Sequence, residues 1–563
     1  MAYILKIRIK GEELMLRQVK LKTFSSTLVL LMILSLIIAG CSNNTQTTEE
    51  TGEGKSVASD SPKPEDVGYP GELSYWVSLD ANVAATSKTL NDVGVYKELE
   101  KITGTKVEFK HPAGEGDQVT EQFNLMVASG NLPDIIEYNW LTVPKGPDNA
   151  INSGTIIRLN ELIDQYAPNF SKYLNDNPEV KKMLTTDEGN IYSFPLIRGD
   201  DYLMVFKGPI IRQDWLDKLS LERPTTIDEW ESVLTAIKEK DPNGNGQNDE
   251  IPLLLELGDI KGTGAFASAW GNTPWFYNDN GTVKFGSIEP EFKEFITTMS
   301  NWYANGLLDT DFAAIDTKLR DAKVTGNQLA ALYSYTGSGI GKYTGLMKEE
   351  NPEFKLVSAP HPSVNKGEKA ALGQKDHPFT GAYGAAITTS AENPEEIVKW
   401  LDFAFSEEGH MLFNFGIEGE SYEMVDGYPK YTDEIMKNPD GLPVTQALGK
   451  YMRSGYGGPF VQDRRYIEQY AELPEQQEAI QVWTDSAENA IKMPPVTMTA
   501  DESNEYASIM SDLETYYDEM VTKMIMGDVS LDKYDEFIAT LEGMGIQRAI
   551  ELQQEALDRY NAR

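Results

Sequence analysis

The segment from Asp241 to Glu250 has the residue types and spacing of a calcium-binding loop. Oxygen-bearing side chains fall at loop positions 1, 3, 5 and 9, a glutamate follows at position 10, and glycines stand at positions 4 and 6. The glycines permit a tight turn, and calcium binds about six to eight oxygen ligands at flexible geometry. The predicted ligands are Asp241, Asn243, Asn245, Gln247 through its backbone carbonyl, Asp249 and Glu250.

This loop begins like an EF-hand loop and departs from that pattern at its end. Position 12 is Pro252 rather than glutamate, so Glu250 is the candidate bidentate ligand. The alternative is a solvated turn rich in Asp, Asn and Gly. A catalytic ion needs an open position beside a substrate, and nothing in the sequence places this loop there. We therefore expect a structural ion.

Cys41 is the only cysteine, and it completes the sequence Ile38-Ala39-Gly40-Cys41. An apolar run at 28–38 precedes it, and basic residues precede that run. This order is typical of a secretory signal, and its end resembles a bacterial lipobox, in which the cysteine thiol receives a diacylglyceryl group. We expect residues 1–40 to be a signal peptide and Cys41 to be lipidated at the extracellular face of a cell membrane, in a Gram-positive bacterium.

The alternative for the apolar run is a transmembrane anchor. The run has eleven residues, whereas a spanning helix needs about twenty. Met15 is the predicted true start, because signal peptides begin shortly before their basic residues. Residues 41–70, beginning with the lipidated cysteine, are polar and predicted to be a flexible linker.

Strand and helix patterns alternate from Leu73 onward, which indicates an α/β fold. LSYWVS, KVEFKH and the stretch from Ile135 to Tyr138 are predicted strands, with a helix ending at Gly104 and another before Gly130 between them. Thr226 is a predicted helix cap, and 394–416 is predicted to be one amphipathic helix. Four tryptophans on helix patterns are predicted core residues: Trp230, Trp302, Trp400 and Trp483.

Five segments, in the right order, resemble extracellular solute-binding proteins of ABC sugar importers, in particular long lipoproteins of the alginate-type oligosaccharide-binding kind. They are SGNLPDII (129–136), EGNIYSFP (188–195), RQDWLDKLSLERPTTIDEW (212–230), HPFTGAYGAAITTSAENPEEIVKWLDF (377–403) and LDKYDEFIATLEGMG (531–545). Members with similar Asp/Asn/Gly loops hold a structural calcium ion. The resemblance covers nearly all of residues 70–563.

The resemblance implies a two-lobed, type II periplasmic-binding-protein-like α/β fold, with discontinuous lobes around a central cleft. We expect 71–200 and 382–490 to form lobe 1, and 201–381 and 491–563 to form lobe 2. The expected crossings lie near 196–206, 377–386 and 488–496. The implied function is delivery of an oligosaccharide, with a uronate-containing one as a candidate, to ABC transporter permease subunits by a monomeric, lipid-anchored receptor.

Ligand contacts are expected at aromatic side chains near strand ends, because aromatic rings stack on sugar faces while polar groups bind hydroxyls. Each aromatic candidate has packing as its alternative. Arg212 could bind an anionic group through bidentate geometry, or form an interlobe salt bridge. The candidates are Trp76, Tyr138, Asn139, Trp140, Arg212, Trp270, Trp275, Tyr335 and Tyr383.

Charge and motifs argue against other functions. The net charge of -38 disfavours a nucleic-acid partner. The four histidines show no metal-ligand spacing, and no nucleophile, zincin or phosphate-loop motif is present. Two alternatives stay open: a lipoprotein that presents ligand to a membrane sensor, and a secreted glycoside hydrolase or lyase.

Overall fold

A computed structural model describes residues 63, 65, 67–114, 116–379, 381, 383–453 and 457–563. The predicted signal peptide, Cys41 and most of the predicted linker lie outside the described residues. Within the described part of the chain, no helix combines the length and apolarity needed to cross a membrane.

Fourteen strands are found among the described residues. They are β1 (Glu72–Trp76), β2 (Lys106–Lys110), β3 (Ile135–Tyr138), β4 (Ile197–Arg198), β5 (Lys207–Arg212), β6 (Ile251–Leu254), β7 (Phe276–Asp279), β8 (Thr282–Phe285), β9 (Leu329–Tyr335), β10 (Leu356–Ser358), β11 (Gly384–Ile387), β12 (Tyr422–Val425), β13 (Tyr428–Tyr431) and β14 (Val461–Gln462).

Helices cover both sheets and fill the connections. In the first half of the described chain they are α1 (Ala81–Ala84), α2 (Gly94–Thr103), α3 (Asp117–Ser129), α4 (Gly146–Asn152), α5 (Asn160–Tyr166), α6 (Pro168–Asp176), α7 (Pro178–Leu184), α8 (Gln213–Leu219), α9 (Ile227–Glu239) and α10 (Leu257–Thr263). They continue as α11 (Pro290–Ala304), α12 (Thr317–Thr325), α13 (Lys342–Met347), α14 (Pro394–Asp402), α15 (Glu407–Phe415), α16 (Asp433–Met436), α17 (Val444–Gly449), α18 (Arg464–Tyr470), α19 (Pro474–Ser486), α20 (Ala500–Met526), α21 (Tyr534–Gly543) and α22 (Ile546–Ala562).

The first large sheet has the order β11-β3-β1-β2. Strand β1 is parallel to both β2 and β3, with Tyr75 opposite Ile135, and β11 runs antiparallel to β3. Parallel neighbours require crossover connections, which α2 and α3 supply. This confirms the predicted β-α-β-α-β start, including its helix end at Gly104, which takes the left-handed φ of 76°.

The second large sheet has the order β10-β5-β9-β6. Strand β9 lies between β5, to which it is antiparallel, and β6, to which it is parallel. Its residues are buried until the last one, Tyr335, which is exposed. At the start of α9, Thr226 accepts a hydrogen bond from the backbone N–H of Glu229, as the predicted cap requires.

The stretch 394–416 forms two helices, so the prediction of one helix is wrong. A 3₁₀ turn at Phe403–Phe405 ends α14, and Ser406 then begins α15 by accepting a hydrogen bond from the backbone N–H of Gly409. Ser followed by two glutamates is a good helix start, and here it outweighs the continuous apolar pattern.

The four tryptophans predicted as core residues are buried, which confirms that prediction. Trp230 and Trp302 pack in the core on the second sheet, and Trp400 packs in the core of the first. Trp483 of α19 donates its indole N–H to the carbonyl of Pro209 in β5. Helix α19 thus packs on the second sheet, which differs from its predicted place in lobe 1 (382–490). The lobe boundaries otherwise stay predictions.

Candidate functional site

The carboxyl ends of β1 and β3 form one edge of the first sheet, and polar residues follow both strands there. In open α/β sheets, ligands bind at such an edge. A cavity of about 90 Å³ lies at this point. Its lining residues are Ser78, Leu79, Asp80, Val83, Leu90, Tyr383, Arg453 and Gly457.

Arg453, one of the residues that line this cavity, belongs to a buried ion pair. Arg453 donates from both terminal nitrogens to the two carboxylate oxygens of Glu137, each at 2.7 Å. Tyr75 donates its hydroxyl to the same carboxylate at 2.6 Å. Burial and the adjacent Glu137 charge raise the pKa of Tyr75 well above its usual value, so it stays a neutral donor.

Two glycines make room for the arginine. A Cβ on Gly458 would lie 2.8 Å from the Nη1 atom of Arg453, and one on Gly457 would lie 3.3 Å from Nη2. Gly458 also has a φ of 114°, which favours glycine. The backbone here is shaped around the guanidinium.

Tyr383 stands at the mouth of the cavity, just before β11. It is 46% exposed and has a φ of 58°, a conformation that non-glycine residues rarely adopt. Burial raises its pKa, and the nearby charges of Glu137 and Asp80 add to this effect. Its ring is therefore held, neutral and accessible, beside the polar lining.

A second aromatic surface lies at the end of β9. Tyr335, which is 43% exposed, stacks on Phe206 with ring centroids 6.0 Å apart and planes 4° from parallel. The Arg198 guanidinium lies 5.2 Å from the Phe206 ring, and Lys207 Nζ lies 4.6 Å from the Tyr335 ring. The charge of Arg198 partly offsets the rise in the pKa of Tyr383.

Arg198 joins three chain segments at this place. Its terminal nitrogens donate to Asp376 at 3.2 Å and to Gln462 at 2.8 Å. Strand β4, which contains Arg198, pairs with β14, and Ile197 also bridges to Phe379. One guanidinium thus fastens the segments around residues 198, 376 and 462 to one another.

The other residues of the first sheet that were predicted to contact ligand differ in burial. Tyr138 is half-buried, and its ring stacks on Phe123 at 4.1 Å. Asn139 follows it, half-buried, and accepts a hydrogen bond from the backbone of Leu141. Trp76 and Trp140 are buried, and Trp140 donates its indole N–H to the carbonyl of Gly384. These two tryptophans lie beneath the edge, inside the core.

Arg212 has no surface left for a ligand, so neither predicted role fits it. Its side chain is fully buried, and it donates to both carboxylate oxygens of Asp214 at 2.6 and 2.8 Å. The guanidinium lies 4.3 Å from the rings of Trp215 and of Phe354. Because Asp214 is two residues away in the chain, the pair is local rather than interlobe.

Trp270 and Trp275 pack against the core on the second sheet and do not line the cavity. Trp270 meets Phe295 with centroids 5.9 Å apart, and Trp275 meets Tyr517 at 5.6 Å. Both are half-buried.

Sequence reasoning missed four residues of this site. Asp80 and Phe206 had a usable signal, because each lies next to a strand end. Arg453 and Arg198 had none in the local pattern, since their partners Glu137 and Asp376 lie 316 and 178 residues away along the chain.

The predicted calcium loop is tightly turned between α9 and β6. Asp241 accepts hydrogen bonds from the backbone N–H groups of Gly244, Asn245 and Gly246. Asp249 accepts from the side-chain amides of Asn243 and Asn245, at 3.0 Å from each. The oxygen-bearing side chains therefore converge.

The surroundings of the Glu250 carboxylate show whether a cation would fit in this loop. Neither of its buried carboxylate oxygens accepts a well-formed hydrogen bond from the described residues. Burial raises the pKa of Glu250, and the negative charges of Asp241 and Asp249 raise it further. Nearby backbone N–H groups act in the opposite direction and lower the pKa. A cation would neutralise this repulsion. No group of three or more His, Cys, Asp or Glu side chains in the described chain is arranged as a metal site by itself, so amide and backbone oxygens would have to complete the set.

A wider groove of about 620 Å³ lies elsewhere, along α2 and α15. Its lining includes Glu98 and Ile102, close to the end of α2 at Gly104, from which the chain enters β2. That is the amino end of the sheet, opposite the edge at Tyr383, so we do not assign the ligand to it.

Comparisons with known proteins find similarities over most of the chain. A family model described as bacterial extracellular solute-binding protein matches residues 84–411. The fructooligosaccharide ABC transporter substrate-binding protein FusA of Streptococcus pneumoniae is 26% identical, over 96% of this chain and 99% of its own. The polygalacturonan/rhamnogalacturonan-binding protein YtcQ of Bacillus subtilis is 24% identical, over 94% and 97%.

Two solved structures are similar over most of the chain. The alginate-binding protein AlgQ2, solved without calcium ion, is 28% identical with a TM-score of 0.68, covering 88% of this chain and 99% of its own. A FusA EF-hand mutant in complex with fructo-nystose is 25% identical with a TM-score of 0.69, covering 87% and 99%. The predicted two-lobed fold is confirmed by these likenesses.

Proposed function

Because the chain belongs to the bacterial extracellular solute-binding protein family, we propose that it is the oligosaccharide receptor of an ABC importer. The family and the similar structures are binding proteins rather than enzymes. In this proposal the protein is a monomer, anchored through Cys41, that closes its lobes on the sugar and then docks on permease subunits. A ligand that binds the closed state preferentially shifts the population toward it.

The observation that carries the proposal is the pairing of two exposed aromatic surfaces with polar groups at a strand edge. Tyr383 and the stacked pair Tyr335 and Phe206 offer faces to sugar rings, while Asp80 and Asn139 offer hydrogen bonds to hydroxyls. Relatives that bind fructooligosaccharides and polygalacturonan support an oligosaccharide, neutral or containing uronate.

A thermal-shift screen of the purified protein tests this function. The panel contains fructooligosaccharides, alginate oligosaccharides and polygalacturonan fragments, and the sugar is recovered and analysed afterwards. We expect the melting temperature to rise with one class, with the sugar unchanged. Shorter products would instead support an enzyme, and no shift with any oligosaccharide would contradict the proposal.

The proposal includes a structural calcium ion in the loop 241–250. Asp241, Asn243, Asn245, Asp249 and Glu250 would hold it through side-chain oxygens, with Gln247 contributing its backbone carbonyl. Two features of the loop support this ion: the convergence of these side chains, and the buried Glu250 oxygens without well-formed hydrogen bonds. The similar structures add support, since AlgQ2 was solved without calcium ion and the FusA variant is an EF-hand mutant. Such an ion would fasten the end of α9 to the start of β6.

A further inference from the structure

Two stretches of chain, 370–377 and 487–493, run side by side close to the predicted crossings. Three contacts join them in order along the chain: Ala370 bridges in parallel to Ala487, the backbone N–H of Gly373 donates to the side chain of Asn489 at 3.0 Å, and Nε2 of His377 donates to the carbonyl of Met493 at 2.8 Å. Lys375 and Lys492 lie between the last two of these contacts, so the two lysines are neighbours.

The first stretch is hydrogen-bonded to the segment that contains Phe206. The side chain of Gln374 accepts from the backbone N–H of Phe206 at 2.8 Å, and the backbone N–H of Asp376 donates to the carbonyl of Met204 at 2.8 Å. Lys375 lies between Gln374 and Asp376 in the chain. It therefore lies close to the aromatic surface that we assign to the sugar.

Neither lysine has a partner for its charge among the described residues. Both side chains are half-buried, and neither ammonium group forms a hydrogen bond or an ion pair there. The adjacent carboxylate of Asp376 is already engaged, because its two oxygens accept from Gln374 and from Arg198, at 3.2 Å each. Burial lowers the pKa of Lys492 to about 8. The charge of Asp376 opposes this effect, and the charge of Lys375 adds to it.

Two neighbouring cations without a countercharge are unusual in this chain. It has 88 acidic residues against 50 Lys and Arg, so carboxylates are abundant, and half-buried charges are normally paired. A perturbed ionisable group beside a ligand surface is a candidate for a functional role. A carboxylate on the ligand would supply the missing charge, and its two oxygens can accept from both ammonium groups.

We propose that Lys375 and Lys492 together bind the carboxylate of a uronate unit, so that the receptor selects acidic oligosaccharides over neutral ones. Each ammonium group donates to that carboxylate, while Tyr335 and Phe206 offer a face to a neighbouring sugar ring. This inference rests on the proposed function and narrows its substrate class from oligosaccharides in general to carboxylate-bearing ones.

The test is calorimetric titration of the whole protein with matched acidic and neutral sugars. The probes are galacturonate and alginate oligosaccharides, each as the free acid and as its methyl ester, which keeps the sugar and removes the charge. At pH 7 we expect one of the acids to bind at least tenfold more tightly than its own ester. Equal affinity for acid and ester would overturn the inference.

Variants of the two lysines give an independent measurement. Lys375→Met and Lys492→Met remove the charge and keep most of the side-chain length. Each is expected to bind the acid at least tenfold more weakly and the ester with unchanged affinity. The melting temperature without sugar should not fall, because a half-buried charge without a partner is removed. Lys348→Met, at an exposed lysine, is the matched control and should bind the acid as the unmodified protein does.

The pH dependence of binding is a separate readout of Lys492. Above about pH 8 this side chain loses its proton in the sugar-free protein, so binding of a carboxylate requires proton uptake. The affinity for the acid should then fall by up to about tenfold for each pH unit. The affinity for the ester should stay level, and Lys492→Met should not show the fall. The same fall in Lys492→Met would contradict the role of this lysine.

The outcomes separate this inference from the proposed function. If the unmodified protein binds no oligosaccharide, acidic or neutral, the function fails. If it binds neutral oligosaccharides as tightly as acidic ones, and both lysine variants bind like the unmodified protein, the inference fails and the function stands. Acetate or inorganic phosphate alone is the remaining probe. If either raises the melting temperature of the unmodified protein but not of Lys492→Met, while acid and ester bind equally, the lysines hold a free anion and the inference also fails.

Discussion

Glu137 and Arg453 form a bidentate ion pair that is almost completely withdrawn from water, with side chains 1% and 7% exposed. The pair joins β3 to a segment more than three hundred residues later in the chain. Removing two charges from water is costly, and only good geometry with further hydrogen bonds offsets that cost. Here the further bond comes from Tyr75.

Arg453→Leu is expected to lower the free energy of unfolding by about 3–5 kcal/mol, because it leaves the Glu137 carboxylate buried without its cation. Urea unfolding followed by tryptophan fluorescence measures the change. Arg464→Leu, at a half-exposed arginine that pairs with Glu468, is the control and should change stability by less than about 1 kcal/mol. Equal effects of the two changes would contradict this account.

Removal of calcium is expected to lower the melting temperature of the protein, and Glu250→Gln to weaken that dependence. The reason is that the carboxylate at position 250 is the proposed bidentate ligand, and the amide supplies one neutral oxygen. Melting curves in calcium and in EGTA measure the effect, with Glu349→Gln, an exposed carboxylate, as control.

The oligosaccharide preference should stay the same in Asp241→Ala. A changed preference at unchanged stability would argue against a structural ion.

His361 is expected to make the protein less stable as the pH falls from about 6.5 to about 4. Burial lowers the pKa of this histidine to about 4, from 6.5 in an accessible position, and its ring lies near Tyr333. Below pH 6.5 the unfolded chain therefore binds a proton at this site and the folded chain does not. The loss amounts to about 3 kcal/mol when complete.

His361→Gln removes this contribution. Stability curves measured between pH 7 and pH 4 should thus fall less steeply for the variant than for the unmodified protein. Parallel curves for the two proteins would show that the histidine is not held neutral in the folded state.

Tyr335→Ala is expected to weaken oligosaccharide binding about tenfold, or about 1.4 kcal/mol, because it removes an exposed aromatic face. Calorimetry with the identified sugar measures the loss. Leu346→Ala, at a leucine that is 51% exposed, is the control for removal of exposed apolar area. An affinity that is unchanged in Tyr335→Ala would remove this surface from the proposed ligand site.

Local patterns predicted the elements well where one signal acted alone. The strand at Leu73, the helix end at Gly104 and the cap at Thr226 each depend on residues a few positions apart, and all three are present. The stretch 394–416 carried two signals, a continuous apolar stripe and the helix start at Ser406, and the helix start determined the structure.

The ligand site was harder to predict because it depends on partners far apart in the chain. Trp140 and Tyr383 are both aromatic residues next to strands, yet one is fully buried and the other is 46% exposed. Arg212 was attractive as an isolated arginine, but Asp214 and the ring of Trp215 enclose it. Sequence spacing gives the residue types near an edge, whereas their burial follows from the packing of whole sheets.

The pairing of Arg198 with Asp376, and of Lys207 with Asp259, has a consequence for how the ionic strength of the medium affects this receptor. The cations beside the aromatic rings are already neutralised by carboxylates of the same chain, although the protein as a whole carries a net charge of -38. Closing over an uncharged sugar then transfers little net charge out of water. Salt screens interactions between exposed charges, so it weakens the electrostatic interactions at the protein surface far more than those inside the closed site. For an uncharged oligosaccharide, a receptor built in this way would keep its affinity in both dilute and concentrated surroundings.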